Sequence, residues 1–300
     1  MLNPIHLRTL TEAVRSGSFA EAARVLGYTT SAVSQQIAML ERAVGAQLFE
    51  RSARSVRPTA VAQRLAVLSR HALAALSELE HEVRALTRGE AGTLRLASFA
   101  TANARVMSAA LAAVVHRRPG VDVLLDEGEP DEVLASVLDG ERDAAVVFGY
   151  DLDPRSWPAE LVQTPLLAEP LVLIAAAGRE IGSLTEAGPE HWICTRADTA
   201  GARSLERLCA AAGFAPRITL RSNDYGVVCE LVRRGLGVAV VPKLALEHDT
   251  GLVVRPLPEP AAHRRILALH RPSNTNPLLP VVLDALATAC EQVAAGWDKS

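Results

Sequence analysis

The chain has 300 residues, of which 49% are hydrophobic and 22% are charged, and its formal net charge is −3. This composition excludes an intrinsically disordered protein, and the length allows two or three structural units. The N-terminus lacks the basic region and apolar run of an export signal, and no uncharged apolar stretch is long enough to cross a membrane. We therefore expect a soluble, cytoplasmic protein.

The four cysteines are far apart in the sequence and form no Cys-x-x-Cys pair; they are Cys194, Cys209, Cys229 and Cys290. This spacing favours thiols that pack in the core of a protein in a reducing compartment. Peroxide sensing by Cys194 and Cys209 is a less favoured alternative, because Cys209 lies in the apolar stripe of its predicted helix.

Positive charge is concentrated at the front of the chain. Residues 1–70 contain nine Arg, no Lys and four Glu, a net charge of +5, so the remaining residues carry −8. A basic segment joined to an acidic remainder indicates that the front binds an anion, and a solvated surface is the alternative.

Two helices joined by a short turn are predicted near the N-terminus. The first, SFAEAARVLG, opens with Ser18 and Glu21 at the spacing of a capping box, in which each side chain accepts a backbone N–H of the other residue. Gly27 supplies a left-handed stop, and Thr29 or Thr30 can cap the second helix. This order of elements is typical of a helix-turn-helix.

The second helix should end at Gly45, and it has two different faces. Its apolar arc contains Val33, Ile37, Leu40 and Val44. The opposite side carries Ser31, Gln35, Ala38 and Arg42, with Ser34 between the two faces. Short polar side chains let a helix approach base edges in the major groove, where Gln pairs with adenine and Ser with either base type. A recognition helix is the favoured interpretation, and an ordinary solvated face is the alternative.

The next stretch, LFERSARSVRPTA at residues 48–60, predicts a short hairpin, or wing. Its arginines, Arg51, Arg54 and Arg57, can reach phosphates or a narrow minor groove.

A long helix is predicted from Thr59, with apolar residues at coiled-coil spacing. The stripe consists of Leu65, Leu68, Ala72, Leu76, Leu79, Val83 and Leu86. A helix of this kind cannot bury its stripe alone, so we expect a second copy of the chain to cover it. The following stretch, TRGEAGT at 87–93, predicts a hinge.

The front run resembles the winged helix-turn-helix of LysR-type transcriptional regulators. The resemblance rests on Ser-Phe-x-x-Ala-Ala, Ala-Val-Ser-x-Gln-Ile, Leu-Glu and Leu-Phe-x-Arg. The resemblance implies that the chain binds double-stranded DNA at an interrupted palindrome and that it forms a dimer or tetramer. The chain departs from the family at Thr30 and Gln35, where Gln and Arg are common, and at Ala62, which replaces a usual Gly. The DNA-binding candidates are Thr29, Thr30, Ser31, Ser34, Gln35, Arg42, Arg51 and Arg54.

From Gly92 onward the pattern alternates between strands and helices in two batches, which predicts two α/β lobes with mainly parallel sheets. The stretch LLAEPLVLIAAA is interpreted as a connection between the batches. Such sheets bind ligands at the carboxyl ends of their strands, so the cleft between the lobes is the expected ligand site.

This half resembles the family's effector-binding domain, which is similar to periplasmic binding proteins. The resemblance implies a small-molecule effector, with a hydroxyl at Thr101 as a ligand. The candidates are Ser98, Ala100, Thr101, Glu129, Phe148, Thr195, Arg196 and Asn223. A solvated loop residue is the favoured interpretation of Glu129, and an amine-bearing effector is the alternative. Arg196 could instead hold a carboxylate, so the charge of the effector stays open.

Three domains are therefore predicted: a winged helix-turn-helix at 1–58, a linker and dimerisation helix at 59–88, and a two-lobe α/β effector domain at 89–300. Lobe 1 should cover about 92–162 and 267–300, and lobe 2 about 163–266.

Two other classes of protein compete with a regulator. An enzyme is disfavoured because the sequence has no Gly-x-Ser-x-Gly elbow, no phosphate loop and no dinucleotide fingerprint. The eight histidines have no metal-ligand spacing, so neither a metal nor a cofactor is expected. An exported solute-binding protein would share the two-lobe fold but would need the missing export signal.

Overall fold

The computed structural model describes residues 2–52, 55–88, 92–246, 250–259 and 262–297. The side chains of residues 51, 52, 55, 82 and 84–88 also lie outside the description. The chain divides into two compact units. The first contains residues 1–89 with 135–142 and 273–276, and the second contains 90–134, 143–272 and 277–300.

The first unit contains a helix-turn-helix followed by a two-stranded wing and a long helix. Its elements are α1 (Pro4–Ser16), α2 (Phe19–Leu26), α3 (Thr30–Val44), β1 (Phe49–Ser52), β2 (Ser55–Pro58) and α4 (Ala60–Arg88). Gly27 and Gly45 end α2 and α3 in the left-handed region, each at φ 69°. Thr59 caps α4, because its Oγ1 accepts the N–H of Ala62 at 3.2 Å. Of the predicted hinge at 87–93, residues 87 and 88 end α4, and residues 89–91 lie outside the described part of the chain.

The predicted capping box of α2 is only half formed. Ser18 Oγ accepts the N–H of Glu21 at 3.3 Å, as expected. The Glu21 carboxylate instead accepts two hydrogen bonds from Arg24, one turn further along the helix. The guanidinium offers two charged donors, which bind a carboxylate more strongly than a single backbone N–H does.

The second unit is an α/β structure built on one large sheet and one small sheet. Its strands are β3 (Thr93–Ser98), β4 (Asp122–Glu127), β5 (Ala144–Tyr150), β6 (Val162–Ala176), β7 (His191–Cys194), β8 (Arg217–Arg221), β9 (Ala239–Pro242), β10 (Leu252–Pro256) and β11 (His263–His270). Its helices are α5 (Ala100–Ala102), α6 (Ser108–Arg117), α7 (Pro130–Leu138), α8 (Ala200–Ala211), α9 (Tyr225–Arg233) and α10 (Leu279–Trp297). The end of α7, from Ala135, is counted with the first unit. A π-helical segment, Asn103–Met107, joins α5 to α6.

The interpretation of residues 166–177 as a connection was wrong, because residues 166–176 belong to the long strand β6. The first half of β6 pairs with β11, and its second half pairs with β9 and β10. Prolines weaken a strand pattern. Pro165 lies at a shift in register between β6 and β11, and Pro170 lies opposite His263, the first residue of β11. β6 thereby runs from one hydrophobic core, which contains Leu167, to a second, which contains Leu171.

The sheets are also less parallel than predicted. Parallel pairing joins β3 to β4 and β5, and β7 to β8. β11 lies antiparallel between β5 and β6, and β9 and β10 both run antiparallel to β6. β6 and β11 are long and lie side by side. Each of them passes from one of these two cores to the other, so the chain crosses between the cores twice.

Among the described residues, α10 is long and apolar enough to cross a membrane by length and composition alone, with a hydropathy of 1.2 over the best window. Its buried residues pack into the core formed around β3, β5 and α6; they are Leu279, Val282, Leu286, Ala289 and Cys290. One face of α10 therefore packs against the core of the second unit.

Candidate DNA-binding surface and effector cleft

Helix α3 separates its apolar and polar residues as predicted. Val33, Ile37 and Leu40 are fully buried in the core of the first unit, and Val44 packs at its edge. Thr30, Ser31, Gln35 and Arg42 are exposed on the other side, and Ser34 is half-buried between them. Thr29 has a structural role as the N-cap, since its Oγ1 accepts the N–H of Ala32 at 3.1 Å.

Two polar residues of α3 that the sequence interpretation missed hold the helix and the wing in place. The amide oxygen of Gln36 accepts a hydrogen bond from Thr9 of α1. Glu41 Oε1 accepts the backbone N–H groups of Leu48, at 2.8 Å, and Phe49, at 3.3 Å, where the wing begins. Both residues lie on the flanks of the apolar arc. This position in the sequence pattern could have indicated that they hold the helix in place.

The wing is the predicted two-stranded hairpin. Phe49 is buried and contacts Phe19 of α2 edge to face, with ring centroids 5.0 Å apart. Arg57 is exposed on β2, directly across from Glu50 of β1. The predicted contacts Arg51 and Arg54 lie outside the described residues, apart from the backbone of Arg51 in β1.

One side of α4 exposes an apolar stripe, which consists of Val61, Leu68, Leu76, Leu79 and Val83, each 43–59% exposed. Leu65 differs from the prediction, because it packs against the core of the first unit. Val61 was missed, although it lies seven residues before Leu68. The side chain of Leu86 lies outside the described residues.

The second unit contains a cavity of about 550 Å³ at the loops that follow its strands. Five of the predicted effector residues line it: Glu129, Phe148, Thr195, Arg196 and Asn223. The other three do not line it. Ser98 is fully buried, Ala100 is exposed and Thr101 is half-buried at the start of the α5 segment.

A buried arginine connects Thr101 to this region. Arg264 of β11 is 1% exposed, forms an ion pair with the fully buried Glu169 of β6, and donates from Nη2 to Thr101 Oγ1 at 2.7 Å. Its guanidinium carbon lies 5.0 Å from the ring centroid of Phe148. Glu169 also accepts the N–H of Leu244 at 2.9 Å, so the buried charges are paired and hydrogen-bonded.

Hydroxyl groups line the cavity next to this pair. The phenol oxygens of Tyr150 and Tyr225 are 3.1 Å apart, and burial raises the pKa of both, so both stay neutral. The Oγ1 atoms of Thr195 and Thr199 are 2.7 Å apart. Gly201 allows this close approach, because a Cβ there would lie 2.9 Å from Thr195 Oγ1.

The four cysteines are all buried. Burial raises the pKa of Cys194, raises that of Cys209 to about 12, and raises that of Cys290 to about 11. Such thiols are poor nucleophiles at neutral pH, which favours packing over peroxide sensing. Within the described part of the chain, no group of three or more His, Cys, Asp or Glu side chains could hold a metal ion.

Comparisons with known proteins agree with this arrangement. The family model for bacterial regulatory helix-turn-helix proteins of the LysR family matches residues 5–63, and the LysR substrate-binding domain model matches residues 87–291.

Two curated relatives are transcriptional regulators. The probable HTH-type regulator LrrA of Synechococcus elongatus is 28% identical over 90% of this chain and 88% of its own length. The HTH-type regulator IlvR of Caulobacter vibrioides is 33% identical over 75% of this chain and 77% of its own length.

A solved structure has the same fold. A full-length OxyR variant from Pseudomonas aeruginosa superposes with a TM-score of 0.65 and 20% identity, over 95% of both chains. Because the two family models cover most of its length, the chain belongs to the LysR family of DNA-binding, helix-turn-helix transcriptional regulators with a substrate-binding domain.

Proposed function

We propose that α3 reads base edges in the major groove while the wing contacts the phosphate backbone. The observation that carries this proposal is the division of α3, with fully buried Val33, Ile37 and Leu40 on one side and exposed short polar side chains on the other. The proposed base-reading residues are Thr30, Ser31, Ser34, Gln35 and Arg42. Thr29 orients the helix end, and Arg51 and Arg54 remain predicted backbone contacts.

We infer that the chain acts as a homo-oligomer in the cytoplasm. The exposed apolar stripe on α4 supports dimerisation, because a helix with such a face needs a partner to cover it. A dimer would present two copies of α3, which suits an interrupted palindrome with two half-sites. The dimerisation residues are Leu68, Leu76, Leu79 and Val83, with Leu65 and Leu86 as further predictions.

We further propose that the cavity of the second unit is the effector cleft, and that binding there, without catalysis, controls DNA binding. Loops at the carboxyl ends of parallel strands are the usual ligand site of such folds, and the cavity has the volume of a small organic ligand. Thr101 and Arg264 would sense the ligand through Phe148, which the guanidinium contacts. The proposed domains are 1–58, 59–88 and 89–300, with the lobe boundaries predicted above.

Replacement of Ser34 and Gln35 by Ala tests the assignment to DNA bases. Loss of their hydrogen bonds should reduce the ratio of operator to random-DNA affinity by roughly 5–150-fold, since a good base contact contributes about 1–3 kcal/mol of discrimination. The measurement is fluorescence anisotropy with a bound site obtained by genome-wide mapping and with a random duplex.

Gln292→Ala is the matched control, because Gln292 is an exposed polar residue of α10 in the second unit. It should leave the affinity ratio unchanged. An unchanged ratio in the Ser34 and Gln35 variant would contradict the assignment of these residues to base contacts.

A further inference from the structure

The three guanidinium groups that line the effector cleft are each paired with a carboxylate of the cleft itself. Arg155 binds Asp131 at 2.6 Å, Arg203 binds Asp153 at 2.8 Å, and Arg196 lies 3.4 Å from Asp198. Arg203 also donates to the backbone oxygen of Asp198. An anionic effector would therefore compete with a carboxylate of the protein for each of these guanidinium groups.

The helix N-termini at the cleft are similarly occupied. Side-chain oxygens of the protein accept the end N–H groups: Thr199 caps α8, Asp224 caps α9, and Glu132 accepts the N–H of Glu129 before α7. A helix N-terminus attracts an anion through its free N–H groups and its dipole. Here the protein's own oxygens occupy those positions, and two of the three caps are carboxylates.

Negative charge is in excess at one end of the cleft. Glu129 and Glu132 line it beside Asp131, and only Asp131 forms an ion pair with an arginine there. Among the described residues, no cation lies within ion-pair distance of Glu129 or Glu132. Both Glu129 and Glu132 are exposed. Desolvation and the neighbouring charge of Glu132 raise the pKa of Glu129, while the charge of Arg264 opposes this shift. A ligand cation at this point would stabilise the ionised form of Glu129.

The wall beyond these carboxylates is aromatic. Phe148 and the paired phenols of Tyr150 and Tyr225 line the same cavity. Aromatic rings pack well against an apolar or aromatic ligand body.

We propose that the effector is an organic amine, whose ammonium group binds Glu129 and Glu132 and whose apolar or aromatic body packs against Phe148 and Tyr225. This assignment rests on the proposed function of the cleft, and it decides between the two effector charges that the sequence left open. Arg196 then remains paired with Asp198 when the ligand binds.

The test uses the full-length protein and a set of primary amines with alkyl and aryl bodies, each matched with the carboxylate of the same carbon skeleton. Thermal shift and isothermal titration calorimetry measure binding. Amines should raise Tm, and their carboxylate counterparts should not. The double variant Glu129→Gln and Glu132→Gln should bind the best amine about 10–100-fold more weakly, because each lost hydrogen bond involves a charged group.

Glu160→Gln is the control, since Glu160 is exposed and does not line the cleft; it should bind like the wild type. Binding of carboxylates instead of amines would overturn the proposed charge, yet the cleft would remain an effector site. Equal amine binding by the double variant, or no amine binding at all, would also overturn the proposal. The proposed regulator function is tested separately. It would fail if the wild-type protein bound its mapped operator no more tightly than random DNA.

Discussion

The buried Arg264 shows what a single residue can add to a ligand site. It lies next to Arg265, yet Arg265 is exposed and pairs with Asp151, whereas Arg264 pairs with Glu169 and donates to Thr101. The burial of Arg264 could be predicted from the alternation of side chains along β11. Ile266 and Ala268 face the core, and Arg264 lies on the same side of the strand. The partner of Arg264 could not be read in this way, since Glu169 is 95 residues away.

Arg57 provides a test of the wing at the scale of one residue, because its side chain is described and exposed. Arg57→Ala should weaken binding to operator and random DNA alike, since a phosphate contact carries no sequence information. The slope of log K against log salt concentration should fall in magnitude by about one. Anisotropy titrations at several salt concentrations measure this slope.

The control for Arg57 is Arg117→Ala, which removes the same charge from α6 of the second unit. Its salt slope should match that of the wild type. If Arg57→Ala keeps the full slope, Arg57 does not contact the backbone.

At the scale of elements, local signals predicted some segments and failed for others. The bounds of α3 agree with its predicted cap and stop, because Thr29 and Gly45 act within one turn of the helix ends. β6 was missed because its prolines and Glu169 interrupt the apolar pattern of a strand. Pairing with β9, β10 and β11 satisfies the backbone hydrogen-bonding groups of β6. This pairing cannot be predicted from the strand propensity of the residues alone.

The stripe on α4 predicts an interface between two copies of the chain. Leu79 is the most exposed residue of the stripe, at 59%, so Leu79→Asp should place an unpaired charge in the interface. The dissociation constant of the dimer should rise by about a hundredfold or more, since an uncompensated buried charge costs several kcal/mol. Sedimentation equilibrium measures this constant.

The matched control is Gln63→Asp, which adds the same charge to an exposed position on the opposite side of α4. It should leave the association unchanged. A dimer of wild-type affinity in the Leu79 variant would show that the stripe is not the interface.

On the scale of the whole molecule, the chain separates two binding activities with different electrostatics. The basic front carries the exposed face of α3 and the wing, while the acidic remainder contains the cleft with its unpaired carboxylates. This asymmetry agrees with a polyanion as one partner and a cation as the other.

If the cleft controls DNA binding, the two equilibria must be reciprocal. The amine with the largest thermal shift should change the operator Kd by a factor of about 5–150, and operator DNA should change the amine Kd by the same factor. Anisotropy with and without the amine gives the first factor, and calorimetry with free and operator-bound protein gives the second.

The carboxylate of the same skeleton serves as the control and should leave both constants unchanged. An amine that binds the cleft without changing the operator Kd would show that occupancy of the cleft does not control DNA binding.

The sequence by itself determined the helix-turn-helix, the two faces of α3, the wing, the long α4 and most of the alternating strands and helices. These features depend on caps, turns and periodicities that act over a few neighbouring residues. Only the tertiary structure decided the antiparallel course of β6, the pairing of Arg264 with Glu169, and which charges in the cleft are already neutralised. Glu129 and Arg196 pointed to opposite effector charges in the sequence, and the spatial arrangement of their neighbours could not be predicted from it. In the fold Arg196 lies beside Asp198, whereas Glu129 lies beside further carboxylates and has no cation within ion-pair distance among the described residues.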